Sequence, residues 1–343
     1  MSTPYRIAVI EGDGIGPEIT LATLNVLEKL RRRYNLNIDL VKVEVGDRAL
    51  AKFGSAVPEE SWKIIELSDA ILKGPVGESA GDVVVKIRRG LDLYANIRPA
   101  KVYPGVRALR NNVDLVIVRE NTEDVYVRAE YMLPEDVAVA LRVISRRACR
   151  RISKIAFEIA HKRKKHLTVV HKANVLSLSD GLFRDAVYEM GRTMYPDVTV
   201  NEMYVDAAVM DLVRRPELFD VIVTTNLYGD ILSDLAAYVT GSIGLAASAN
   251  IGDNKAMFEP IHGAAFDIAG KGIANPAAMM LSLSWLFKWL GEKRGDHSML
   301  IAGKEVENAV IATLSKGERL TPDLGGSSST QEFTEAVISK ISL

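Results

Sequence analysis

Apolar residues along the chain follow two rhythms. Short strand-like runs, rich in apolar and β-branched residues, occupy 6–10, 38–45, 70–73, 114–119, 166–171, 198–205 and 220–224. Between them, apolar positions recur at helical spacing over about 17–33, 59–67, 82–92, 134–163, 179–191 and 226–237. Three more helical patterns close the chain, at about 275–290, 301–314 and 332–341. Residues 94–99 are extended, because Pro99 pushes Arg98 out of helical geometry. Strands alternating with helices argue for an α/β fold with substantial parallel pairing.

The stretch 220–237, DVIVTTNLYGDILSDLAA, organises the chemistry. A strand turns at Thr225-Asn226 into a helix carrying Asp230 and Asp234, four residues apart on one face. Like charges there repel by a few tenths of a kcal/mol, and a hard divalent cation would reverse the sign. Alone, the pair fits an ordinary solvated helix face at least as well.

Other ionisable residues gather at strand ends. Arg119, Lys172 and Asp206 each close an apolar run, and Arg98 sits in the extended segment before Pro99. Arg88 comes from the helix at 82–92. Any one arginine fits a surface, but three from separate elements would form a bidentate clamp for several carboxylates. Lys172 would act as a base if burial or neighbouring positive charge lowered its pKa.

The glycines at 12, 14 and 16 follow a strand, but Pro17 stands where a Rossmann fingerprint wants its third glycine. A plain tight turn is as good a reading as a ligand loop. Gly74 lies in a second break, Lys73-Gly74-Pro75-Val76-Gly77, at a strand end where α/β proteins place ligands. The segment 258–267 reads as a loop of small residues beside His262 and Asp267, suited to wrapping an adenosine. The stripe Met279, Met280, Leu283 and Leu286 reads as core.

Composition narrows the class. With 343 residues, 48% hydrophobic and 25% charged, the chain suits a globular protein of two domains. A net charge of −1 gives no global field toward nucleic acid or anionic membrane. The basic run 161–166 reads as a helix terminus. The single Cys149 excludes an internal disulfide and suits a reducing cytoplasm. The first residues lack the pattern of a signal peptide, and no apolar run spans a bilayer.

Several segments, taken in order, resemble the metal-dependent decarboxylating dehydrogenases of the isocitrate/isopropylmalate family. They are GDGIGPE at 12–18, YANIRPAK at 94–101, VRENTE at 118–123, HKANV at 171–175 and NLYGDILSD at 226–234. FEPIHGAAFDIAGKGIANP at 258–276 and TPDLGG at 321–326 complete the set. The resemblance implies a two-domain α/β fold without a conventional Rossmann domain. One domain, for the cofactor, would combine 1–93 with 241–343. The other, 94–240, would make a homodimer with active sites shared between subunits, with pairing into tetramers left open.

On matching positions, the resemblance implies that Arg88, Arg98 and Arg119 hold malate carboxylates. Asp230 and Asp234, with Asp206 of the partner subunit, would hold Mg2+ or Mn2+. Tyr126 and the partner's Lys172 would be the acid–base pair. Gly74, His262, Gly263, Ala264, Asp267 and Asn275 would meet the cofactor. Asp267-Ile268 argues for NAD, since a carboxylate repels a 2′-phosphate. The implied reaction is hydride transfer to NAD followed by β-decarboxylation, with the metal as Lewis acid.

The family reads the C3 substituent of its substrate with the helix holding Arg88, where Val84 and Val85 suit an isopropyl group. Burying about three carbons is worth roughly 2 kcal/mol. An acid at Asp82 would repel the extra carboxylate of isocitrate. The expected substrate is 3-isopropylmalate, as in leucine synthesis. Glu123-Asp124 looks more like the isocitrate branch, however, and Lys86 is near enough to pair with a carboxylate. Isocitrate, homoisocitrate and broad specificity therefore stay open. Some relatives are thought to be non-catalytic regulatory subunits; this chain keeps Tyr126, Lys172, Asp206, Asp230 and Asp234, so an enzyme is expected.

Overall fold

A computed structural model describes residues 3–341. The chain opens with β1 (Tyr5–Ile10), α1 (Gly16–Tyr34), β2 (Ile38–Val43), α2 (Asp47–Phe53), α3 (Glu59–Leu67), β3 (Ala70–Lys73) and α4 (Ala80–Gly90). Next come β4 (Ala95–Lys101), β5 (Asp114–Glu120), β6 (Glu130–Leu133), β7 (Val137–Ala140), α5 (Arg146–His161) and β8 (His166–His171). Then follow α6 (Ser179–Met194), β9 (Thr199–Tyr204), α7 (Val205–Arg214), β10 (Val221–Thr224) and α8 (Asn226–Val239). The last elements are β11 (Ala247–Ile251), β12 (Ala256–Pro260), α9 (Ala277–Arg294), α10 (His297–Lys316) and α11 (Thr330–Lys340).

Ten strands form one sheet in the order β2-β1-β3-β12-β11-β4-β5-β10-β8-β9. One half, β2, β1, β3, β12 and β11, comes from the two ends of the chain, and the other half from its middle. Pairing is parallel within each half except around β11 and β4, which run antiparallel to their neighbours. Both faces are covered. Ile7 and Val9 of β1 join one core cluster, while their alternates Ala8 and Ile10 join another, as the two-residue period of a strand requires. Among the described residues, no helix is long and apolar enough to cross a membrane.

β5, β10, β8 and β9 are mutually parallel. Arg119 near the end of β5, Lys172 after β8, Asp206 in the first turn of α7 and the start of α8 therefore leave the same edge of the sheet.

The helix expected over 134–163 is the main departure. Its first third is instead the turn and return strand of a largely exposed hairpin arm, β7 pairing antiparallel with β6 just upstream. Val137 and Val139 alternate as a strand does, and β-branched residues favour that state. The helix begins only after Ser145, whose hydroxyl accepts from the Ala148 N–H at 3.1 Å. The start of the loop expected at 258–267 is also strand: Phe258 and Glu259 lie buried in β12. Met279, Met280, Leu283 and Leu286 are fully buried in α9, as expected of core.

Candidate active site

α8 approaches β5 closely because Gly229 faces Arg119; a Cβ there would come within 2.6 Å of the Arg119 side chain. This brings Asp230 to the end of β5. Arg119 forms an ion pair with Asp230 Oδ1, and its Nε donates to Asn226 Oδ1 at 2.9 Å. The Tyr126 hydroxyl donates to Asp230 Oδ2 at 2.5 Å. Arg98 in β4 places Nη1 3.4 Å from Asp230 and 3.2 Å from Asp234, and donates to Ser233 Oγ at 2.6 Å. Arg88 on α4 interacts electrostatically with both Arg119 and Asp230.

All three guanidiniums are buried, with 7%, 6% and 1% of Arg88, Arg98 and Arg119 exposed. Each keeps one buried N–H without a partner: Nε of Arg88, Nε of Arg98 and Nη2 of Arg119. Buried cations with spare donors are costly unless an acceptor arrives. Burial, then Arg119 nearby, pulls Arg98 down to about 10. Burial works to raise Asp230, but Arg119 and Arg98 outweigh it and hold the carboxyl below the usual range. Asp234 moves the other way: burial raises it, only partly offset by Arg98, and Asp230 adds to the rise. Burial raises the Tyr126 phenol against the opposing pull of Arg119.

Lys172 and Asp206 form a separate ion pair. That pair, led by the Lys172 hydrogen bond, lowers the exposed Asp206 carboxyl. Among the described residues, no hydrogen bond or ion pair joins it to the Asp230 cluster within one chain. Likewise no three His, Cys, Asp or Glu side chains among them converge as a metal site. Asp230 and Asp234 nevertheless fit a hard divalent cation, offering carboxylate oxygens one helical turn apart.

The glycine turn at 12–16 is a wedge of bare backbone. Gly12 packs on the Pro75 carbonyl, where a Cβ would sit 1.8 Å away, and Gly14, at φ +56°, packs on the Ala264 carbonyl. Ile15 N–H donates to that carbonyl at 2.8 Å, and Asp13 N–H to Pro75 at 2.8 Å. The turn thus brings the segment at Gly74 together with the loop of His262, Gly263 and Ala264. Burial lowers the pKa of His262, whose Nε2 lacks a partner. Asp267 is exposed further along the loop. Asn275 donates to Asp323 at 3.0 Å and accepts from Ala277 N–H at 3.0 Å, at the start of α9.

Val84 and Val85 lie half-buried on α4, one turn before Arg88. Asp82 is held by Arg128 at 2.5 Å. Lys86 donates to the Val57 carbonyl at 3.2 Å and lies over the Trp62 ring.

Sequence reasoning missed the residues behind this cluster. Glu259 accepts from Lys73 at 2.6 Å, Arg88 at 3.1 Å and Asn250 at 2.9 Å, all buried. Its only signal was a glutamate inside the apolar run of β12. Asp13, the acid of the glycine turn, accepts from Asp47 N–H at 3.0 Å and Gly77 N–H at 3.1 Å. Asp47 then accepts from Ser79 N–H at 2.8 Å, anchoring the start of α4. Glu123 and Asp124 serve the scaffold: Glu123 takes Ser145 N–H at 2.7 Å, and Asp124 takes Leu227 N–H at 3.1 Å.

A two-sided α/β sheet whose edge gathers three buried arginines, two carboxylates and a tyrosine defines a site for a multiply charged anion. The chain belongs to the isocitrate/isopropylmalate dehydrogenase family, which matches residues 6–337. It is 50% identical to the 3-isopropylmalate dehydrogenase of Sulfurisphaera tokodaii, over 98% of this chain and 99% of that one. It is also 50% identical to an isocitrate/homoisocitrate dehydrogenase of Thermus thermophilus, over 97% of this chain and 98% of that one. The crystal structure of isocitrate dehydrogenase from Methylococcus capsulatus superimposes with a TM-score of 0.90 at 38% identity, covering 98% of this chain and 99% of that one.

Proposed function

We propose that this chain is an NAD-dependent decarboxylating dehydrogenase of 3-isopropylmalate, acting in leucine biosynthesis in the cytoplasm. The observation that carries the reading is the set of three buried arginines with spare N–H donors around Asp230. A malate presents two carboxylates and a hydroxyl, the acceptors those donors lack. Val84 and Val85 favour an apolar C3 substituent. Asp82, paired with Arg128, would repel an extra carboxylate, and Lys86 is drawn toward the Val57 carbonyl. The Sulfurisphaera relative supports the same substrate.

When bound, the divalent cation supplies Lewis-acid polarisation at the hydroxyl oxygen, and NAD takes the hydride. Asp230, Asp234 and the partner subunit's Asp206 would hold Mg2+ or Mn2+. The partner's Lys172 accepts the hydroxyl proton, and Tyr126 delivers a proton to carbon after CO2 leaves. Gly74, His262, Gly263, Ala264, Asp267 and Asn275 line the proposed cofactor side, with Asp267 toward the ribose.

The reading includes a homodimer of two-domain subunits, residues 1–93 with 241–343 and residues 94–240. The split follows the two halves of the sheet. Met210 on α7 and Ile231 and Tyr238 on α8 are 63%, 54% and 70% accessible, and exposed apolar side chains on two helices that pack together suit a second copy. A shared site also supplies the third carboxylate that one chain lacks.

The test offers 3-isopropylmalate, isocitrate, homoisocitrate and D-malate in parallel to the purified chain with NAD and Mg2+ or Mn2+. A kcat/KM preference for 3-isopropylmalate of about tenfold or more, ~1.4 kcal/mol, is expected. The Thermus relative, equally identical, favours a second reading, and a preference for isocitrate or homoisocitrate would establish it in place of the first.

A further inference from the structure

Arg142 stands at the base of the β6–β7 arm, outside every segment so far given a role. Its guanidinium meets three elements at once. Nε donates to Asp124 Oδ1 at 2.8 Å, Nη2 donates to Thr225 Oγ1 at 2.8 Å, and Nη1 pairs with Asp180. Both carboxylates are fully buried.

Each partner controls a different functional segment. Asp124 accepts from Val125 N–H at 2.9 Å, opening the 3-10 turn Val125–Val127 that contains Tyr126. Asp180 takes Lys172 N–H on its other oxygen at 2.6 Å. Thr225 precedes α8, and the Leu227 N–H in its first turn donates to Asp124 at 3.1 Å. The chain leaving the arm is tied in as well, because Asp124 N–H donates to the Val143 carbonyl at 2.8 Å. Two buried carboxylates with no cation between them would repel strongly. Arg142 neutralises one of the two charges, and its planar fork fixes their separation.

We propose that Arg142 is a positioning residue that sets Tyr126, Lys172 and the start of α8 relative to one another. The proposal rests on the reading that Tyr126 and Lys172 do acid–base work in a dimer. In that dimer a chain uses its own Tyr126 and lends its Lys172 to the partner. Arg142 therefore links the two active sites through the base of the arm.

The test compares wild type with Arg142→Gln and Arg142→Lys, assayed as full-length protein well below each melting temperature. Arg142→Gln should lower kcat at least tenfold while KM for substrate and NAD changes less than about threefold. It should also speed hydrogen exchange at the Lys172, Val125 and Leu227 amides at least tenfold without substrate. Arg142→Lys keeps the charge but not the fork, so it should fold even if the glutamine variant does not, and lower kcat at least fivefold. A kcat within threefold of wild type for every variant that folds overturns the proposal, whatever the exchange shows. Unchanged exchange at all three amides overturns it too. If wild type oxidises none of the four hydroxy acids but exchange at the three amides responds as stated, the enzymatic reading falls and the positioning role stands.

Discussion

Tyr126 and Asp230 share a hydrogen bond of 2.5 Å, and the oxygen that accepts it is not the one gripped by Arg119. Both carboxylate oxygens are thereby engaged, and the phenol is fixed at the arginine cluster. A phenol held at a carboxylate that would also hold a cation is placed to deliver its proton to a substrate bound there. Tyr126→Phe removes the proton and little else. It should lower kcat by about 10²–10⁴ while substrate affinity, followed by fluorescence titration, changes less than about threefold. A variant that keeps more than half of the wild-type kcat would remove Tyr126 from the proton path.

Glu259 sits between Lys73 and Arg88, buried with both. Burial alone would raise its pKa, but the two cations and Asn250 drive it far below the usual carboxylate range. A folded pKa below the unfolded one contributes stability above the unfolded value, about 4.3, and that contribution fades as pH falls toward the folded value. Glu259→Gln strands two buried cations and should cost roughly 3–5 kcal/mol at pH 7. The gap in unfolding free energy between the two proteins should narrow steadily below about pH 4. Urea titrations at pH 7, 5 and 3.5 measure it, and a constant gap would contradict the assignment.

Asp234 is the acid of the pair whose pKa is raised, by burial first and then by Asp230. A cation there competes with a proton, so its apparent affinity should fall as pH drops from 7 toward 5. Mn2+ at about 100 times its Kd should stabilise the folded chain by about 2.7 kcal/mol. Asp234→Asn should abolish most of that gain, read as a thermal shift with and without chelator. An undiminished shift in the variant would place the cation elsewhere.

Much of this frame was legible in the sequence. Strands at 70–73 and 166–171 and the helix at 59–67 are found as expected, because buried strands and amphipathic helices leave strong local periodicity. Arg88, Arg98, Arg119 and Asp230 could be nominated as strand-end or helix-face charges. Local pattern failed where tertiary partners decide. The arm at 130–140 has no core beneath it to impose a helical stripe, and its valines pair with β6 instead. Asp13, Glu259 and Arg142 drew no role because the groups that engage them, Asn250 apart, lie 18 to 186 residues away. A buried charge is recognisable only once the groups that neutralise it are in place.

Specificity offers the sharpest test of α4. Val84 and Val85 are half-buried one turn before Arg88, and the charged residues flanking them, Asp82 and Lys86, are engaged elsewhere. An apolar substituent at C3 would be buried there, while a carboxylate would be left unpaired. Val85→Arg reverses that balance by adding a bidentate donor where the substituent lies. It should lower kcat/KM for 3-isopropylmalate by about 10–200-fold, the range for disrupting a small hydrophobic pocket, and raise it for homoisocitrate. Val84→Ala removes two methyl groups without adding a charge. It should weaken 3-isopropylmalate by about 1–3 kcal/mol and leave homoisocitrate unchanged. Parallel kcat/KM measurements on both substrates decide. If Val85→Arg depressed both equally, the substituent would lie against another wall, and α4 would hold the substrate through Arg88 alone.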